Sequence, residues 1–155
     1  MLESSRLTAT DLMTRDVVTA RPDTKLEVVI RQMLDGGNSG MPVVDADGRA
    51  IAMITEGDLI RWSEEAEPRT RWWLDMLADG YDLAEDFMRA VQDQHARVQA
   101  VMTKTIVGVA PETPTRDVAK LLAERGVKRV PLLRDGKPIG IITRRDLVRA
   151  MLGTV

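Results

Sequence analysis

An internal repeat restricts this chain more than any other feature. A stretch beginning LMTRDVVTA at residue 12 returns as VMTKTIVGV at residue 101, and the correspondence runs on to MITEGDLIR (53–61) and IITRRDLVR (141–149). The offset is a constant 89 until a turn loses one residue in the second copy, and 88 thereafter. The landmarks match in order: Met13-Thr14 with Met102-Thr103, Pro22 with Pro111, Thr24 with Thr113, Gly37 with Gly126, Pro42 with Pro131, Thr55 with Thr143, Asp58-Leu59 with Asp146-Leu147. Two copies fall short of the roughly three that an extended solenoid needs. A chain of 155 residues has room for one good core or two small ones that share an interface. The economical fold is a closed pair in which each copy covers the other's apolar face.

Each copy reads as β-α-β-β-α. A short strand, VVTA (17–20) or IVGVA (106–110), leads to a threonine ahead of a helix. There Thr24 and Glu27 have capping-box spacing, and Thr113 precedes Pro114 at the first helical position. Leu26, Val29, Ile30 and Met33 recur at i, i+3, i+4 and i+7, the buried stripe of a helix, and Val118, Leu121 and Leu122 begin the same pattern. Gly37 and Gly126 stop the two helices. MPVVDADGRAIAMIT (41–55) and VPLLRDGKPIGIIT (130–143) then read as hairpins through Asp-Gly turns, and a second helix begins at Thr55 or Thr143. The expected class is α+β, with copies at 1–61 and 100–155 flanking an insert at 62–99.

Composition removes several function classes. Hydrophobic content of 44% with 30% charged residues describes a chain that folds. With no cysteine, disulfides, thiolate zinc sites and cysteine nucleophiles are excluded. The opening MLESSRLTATDLM has no apolar run of signal-peptide length, and nowhere do about 18 consecutive apolar residues occur. The expectation is a cytoplasmic protein with no membrane insertion.

The ordered landmarks resemble the CBS domain family, and the whole chain looks like a tandem CBS pair, or Bateman module. The resemblance rests on the opening Met-Thr, the strand-proline-threonine-helix, the glycine before apolar-Pro-apolar-apolar, the Asp-Gly hairpin and the closing apolar-apolar-Thr-x-x-Asp-Leu, in both copies. It implies a pseudo-twofold pair with two clefts between the sheets. It further implies binding of an adenosyl compound such as AMP, ADP, ATP, S-adenosylmethionine or NAD, and pairing of two chains into a disc-shaped homodimer.

Thr-x-x-Asp has two compatible readings. A threonine entering a helix with an acid three residues on caps that helix and suits its dipole. In a CBS context the aspartate also accepts from both ribose hydroxyls, while the threonine hydroxyl and free backbone amides face a phosphate. The second copy looks better suited to an anion. Gly140 leaves room for a ligand to approach the strand where Ala52 adds a methyl group, and Arg144 and Arg145 stand opposite Glu56 and Gly57. Residues 100–155 carry 11 basic and 5 acidic side chains, residues 1–61 carry 7 and 10. Lys128 and Arg129 either add to this phosphate preference or lie on a solvated loop. Together with Thr143 and Asp146, the second cleft would hold adenine on Ile106, Val107, Val130 and Pro131, residues that plain core packing would explain as well. The weaker first cleft comprises Val17, Val18, Met41, Pro42, Thr55 and Asp58.

The insert holds every aromatic residue, Trp62, Trp72, Trp73, Tyr81 and Phe87, and the sole histidine, His95. Asp82 and Glu85 have cap spacing ahead of Ala84, Phe87, Met88, Val91 and Val98, so a helical hairpin is expected. Its aromatics either pack against the module or a dimer partner, or form a lid or an exposed patch for another protein. His95 reads as a surface or packing residue.

Three functions remain to be separated. The first is a regulatory module whose adenosyl ligand changes how a separate, unidentified protein partner is engaged. The alternative is a constitutive dimerisation or scaffold protein with vestigial clefts. An enzyme is disfavoured, because no metal cluster, phosphate loop or nucleophile pair is present in the sequence. Nucleic-acid binding is disfavoured too, since the basic second copy lacks aromatic residues and the net charge is −2.

Overall fold

The computed structural model describes residues 7–65 and 97–153. The expected helical hairpin, with Trp72, Trp73, Tyr81, Phe87 and His95, lies outside them. The first copy contains α1 (Ala9–Leu12), α2 (Leu26–Gly36), β1 (Gly40–Val44), β2 (Ala50–Thr55) and α3 (Glu56–Glu65). After a 3-10 turn (Val98–Ala100), the second contains α4 (Thr115–Arg125), β3 (Arg129–Arg134), β4 (Lys137–Thr143) and α5 (Arg144–Met151). Each hairpin forms its own two-stranded sheet.

The helices start differently from the sequence expectation and end as expected. Lys25 is the N-cap of α2, without a side-chain bond; the hydroxyl of Thr24 instead accepts from the Arg21 amide at 3.0 Å, so the Thr24–Glu27 capping box does not form. Glu27 pairs with Arg31 at 2.8 Å. Pro114 is itself the N-cap of α4. The buried stripe of α2 is Leu26, Val29, Ile30 and Met33, and Val118 and Leu122 are its counterparts on α4. Gly37 (φ 64°) and Gly126 (φ 62°) end the helices in the left-handed conformation that glycine adopts without strain.

The turns explain the one-residue change in offset. Asp135 (φ 53°) and Gly136 (φ 77°) are both left-handed, and Arg134 pairs directly with Lys137, as in a two-residue type I′ hairpin whose twist matches the strands. The longer turn of the first copy is organised by Asp45, whose carboxylate accepts from the amides of Asp47 (2.9 Å) and Arg49 (3.0 Å). The expected first strand shrinks to one parallel bridge per copy, Ala20 with Val43 and Val109 with Leu132. Pro22 and Pro111 follow closely and Pro42 and Pro131 lie opposite; none of them has an amide to extend a ladder.

The chain forms two compact units, and each takes its lead-in from the other copy. The described parts of 20–43 and 52–104 make one, those of 1–19, 44–51 and 105–155 the other. In the unit built on the first copy, Val98 donates to the Thr24 carbonyl and Gln99 to that of Pro22, both at 2.9 Å, and Thr103 exchanges backbone bonds with Met53 at 2.8 and 3.0 Å. The unit built on the second copy repeats this: Ala9 donates to Thr113 (2.8 Å), Thr10 to Pro111 (3.1 Å), and Thr14 exchanges bonds with Ile141 at 2.9 and 3.0 Å. Val98 and Ala9 are fully buried in the cores they join, beside Ile54 and Ile142 respectively.

Candidate functional site

The repeated carboxylates stand where a strand hands over to a helix. Thr143 ends β4 in extended geometry and caps α5 through a reciprocal capping box with Asp146. Asp146 Oδ2 accepts from the Thr143 amide at 2.8 Å and from its hydroxyl at 3.1 Å. Its Oδ1 is ion-paired with the Arg149 guanidinium at 3.6 Å, a distance longer than a hydrogen bond. The side chain is only 9% exposed. A buried carboxylate is thus held by one oxygen and left with acceptor capacity on the other.

In the first copy the same scaffold is filled. Asp58 Oδ2 accepts from the Thr55 amide (2.9 Å) and hydroxyl (3.0 Å), as at the matched site. Its Oδ1 accepts from the hydroxyl of Thr103 at 2.7 Å and also from the Arg61 guanidinium. A carboxylate offers about four lone-pair positions, and these four donors take them all. With its side chain 3% exposed, Asp58 is a satisfied buried charge. Thr14 and Arg149 occupy the matched places in the second copy, yet among the described residues Thr14 sends no hydroxyl bond to Asp146. Thr103 and Arg61 were not singled out as site residues from the sequence. The Met-Thr landmark contained the necessary signal, because it places a hydroxyl at the same offset in both copies.

Around Asp146, Arg144 and Arg145 are exposed and have no ion-pair partner among the described residues. The expectation of free amides is corrected at Arg144, whose N–H donates to the Lys128 carbonyl at 3.1 Å and ties the residues before β3 to the start of α5. The Thr143 hydroxyl is likewise spent on its own aspartate. Lys128 is exposed and Arg129 half-buried. The role expected of Gly140 is also corrected. A methyl group there would come within 2.4 Å of Met13 Sδ and 2.9 Å of Met13 Cβ, so the missing side chain makes room for Met13, and no gap for a ligand follows from it.

Of the residues expected to hold adenine, Val130 and Pro131 are buried in the core, whereas Ile106 and Val107 are half-buried. In the first copy Met41 and Pro42 are buried, Val17 is half-buried and Val18 is exposed. A third Thr-x-x-Asp-Leu at 8–12 forms the same capping box, with Asp11 exposed on the four-residue α1. That instance shows the phrase in its purely structural use. Among the described residues no group of His, Cys, Asp and Glu side chains could hold a metal ion, and no helix is long and apolar enough to cross a membrane.

Comparison with known proteins matches residues 9–65 and 98–153 to the CBS domain model. An uncharacterised protein of Methanocaldococcus jannaschii is 30% identical over 92% of this chain and 89% of its own length. A crystal structure of CBSX2 in complex with AMP superposes with a TM-score of 0.71 at 26% identity, covering 94% of this chain and 96% of that one. The full CBSX2 of Arabidopsis thaliana is a chloroplastic protein, and this chain spans 63% of it. The CBS domain of a membrane protein from Sphaerobacter thermophilus superposes with a TM-score of 0.72 at 31% identity, over 95% of this chain and 89% of that one. Other curated relatives are longer: the chain spans 41% of a second M. jannaschii protein and 23% of that organism's inosine-5'-monophosphate dehydrogenase.

Proposed function

The chain belongs to the CBS domain family, and from that premise we propose that it is a regulatory module which binds an adenosyl ligand at Asp146 and signals occupancy to a protein partner. The observation that carries this reading is the half-used carboxylate. Asp146 is buried and held by Thr143 through Oδ2, while Oδ1, ion-paired with Arg149 beyond hydrogen-bond distance, has acceptor capacity that the paired hydroxyls of a ribose would use. Arg144 and Arg145, exposed on the first turn of α5, supply the charge that a phosphate needs. Ile106 and Val107 offer half-buried apolar surface to a purine. The AMP complex of CBSX2, at 26% identity, supports AMP as the first ligand to test. ADP, ATP, S-adenosylmethionine and NAD share the ribose and belong in the same panel. No step of bond making or breaking enters this role.

Pairing of two chains is part of the proposal. Val148, Met151 and Leu152, at the C-terminal end of α5, are 56%, 83% and 77% exposed, an apolar surface suited to a second copy.

Titration calorimetry with AMP tests the binding site. A hydrogen bond to a charged acceptor contributes about 1.5–3 kcal/mol, so Asp146→Ala should weaken AMP roughly tenfold to a hundredfold. Equal affinity in wild type and variant would remove Asp146 from the reading.

A further inference from the structure

The two copies carry the same threonine and the same arginine beside their aspartates; both arginines are ion-paired with them, and only the threonine at Asp58 is hydrogen-bonded there. In the unit built on the first copy, Thr103 and Arg61 complete the acceptor capacity of Asp58; in the other unit, Arg149 stands 3.6 Å from Asp146 and Thr14 makes no bond to it. We propose that Thr103 and Arg61 form an internal latch that occupies Asp58 in the manner of a ribose diol, so that the chain takes one nucleotide, at Asp146, until the latch opens. This rests on the adenosyl-binding reading of the Thr-x-x-Asp scaffold.

The geometry defines what opening involves. Thr103 is bonded to Met53 through its own amide and carbonyl, at 2.8 and 3.0 Å, so its backbone is fixed in place. Release therefore requires a turn about the Thr103 Cα–Cβ bond and a swing of the arginine. Both outer groups reach solvent: Thr103 is exposed and the Arg61 side chain is 64% exposed, while the aspartate they cover is buried. A staggered rotamer change of an exposed threonine is a small step. Ribose hydroxyls offer the same chemistry as the threonine hydroxyl, an O–H donor to a carboxylate oxygen, so ligand and latch compete for the same lone pairs. A vacated Asp58 would regain the two-donor state that Asp146 already shows.

The test uses AMP and the full chain, with Asp146→Ala as the parent so that only the Asp58 site is read. Adding Thr103→Val, which keeps the shape and removes the hydroxyl, should tighten AMP binding by roughly tenfold over the parent. Adding Asp58→Ala to that variant should return affinity to the parent level. Arg61→Gln in the same background should also raise affinity, and decides the matter if thermal melting shows that the valine variant is unfolded. No gain from opening the latch overturns the inference, whatever the wild type does. Failure of the Asp146 reading has a separate signature, which is identical AMP affinity in wild type and Asp146→Ala. Two equivalent AMP sites in the wild type would also overturn the latch while leaving adenosyl binding intact.

Discussion

The two aspartates differ less in their scaffold than in their neighbours. Asp58 and Asp146 each follow a strand, each lock to a threonine three residues back, and each are nearly buried. Asp58 accepts from four donors of its own chain, Asp146 from two, with an ion pair to Arg149 beside them. Repetition of sequence therefore preserves the frame around a carboxylate without preserving its hydrogen-bond partners. Burying a charge is costly unless donors surround it, so the two copies represent two solutions to one problem. The first copy closes its hydrogen bonds internally; the second leaves hydrogen-bond acceptor capacity on Oδ1 beside an ion-paired arginine.

The cores beneath the two carboxylates come first. Ile54 and Ile142 are matched and fully buried. Truncation of either to alanine should cost about 2–5 kcal/mol of unfolding free energy, measured in urea, because a cavity adds to the lost transfer energy. Similar losses would show that the copies differ at their carboxylates and not in their foundations. A loss at one position alone would break the symmetry on which the comparison stands. A smaller effect is expected at Gly140. Its change to alanine introduces the methyl group that Ala52 already carries, and Met13 must move; overpacking of this kind costs about 1–3 kcal/mol in a thermal or urea melt. The smallest concerns the caps. Thr143→Val and Thr55→Val should each cost about 1 kcal/mol, and on the proposed binding role the first should weaken AMP in addition, since it loosens the aspartate proposed to hold the ribose. Equal AMP affinity in Thr143→Val and wild type would mean that the cap plays no part in positioning the acceptor.

Much of this was legible in the residues themselves. The repeat, the buried stripe of α2, the glycine stops and the Asp-Gly turn of the second hairpin follow from local patterns, and the structure shows them where the patterns predict. The family model's two matched segments likewise fit the doubled reading. What escaped was set by partners distant in the chain. Thr24 has the spacing of a cap, but the Arg21 amide claims its hydroxyl and the helix begins later. Gly140 has the look of a ligand clearance, but Met13 fills it from the opening segment. The difference between the aspartates is the least readable of all. Thr14 and Arg149 are the same residue types as Thr103 and Arg61, so identity carries no sign of which threonine donates to its aspartate.

The exchanged lead-in segments constrain how such a molecule can be divided or inherited. A fragment cut between the repeats would strand Ala9 far from Val109 and Ile142, and would deprive Ile54 of Val98, leaving each half with a hole and an unmatched apolar tail. Half of this protein is therefore not a smaller protein. A chain holding one repeat could complete its interior in this manner by receiving the leader of a second such chain.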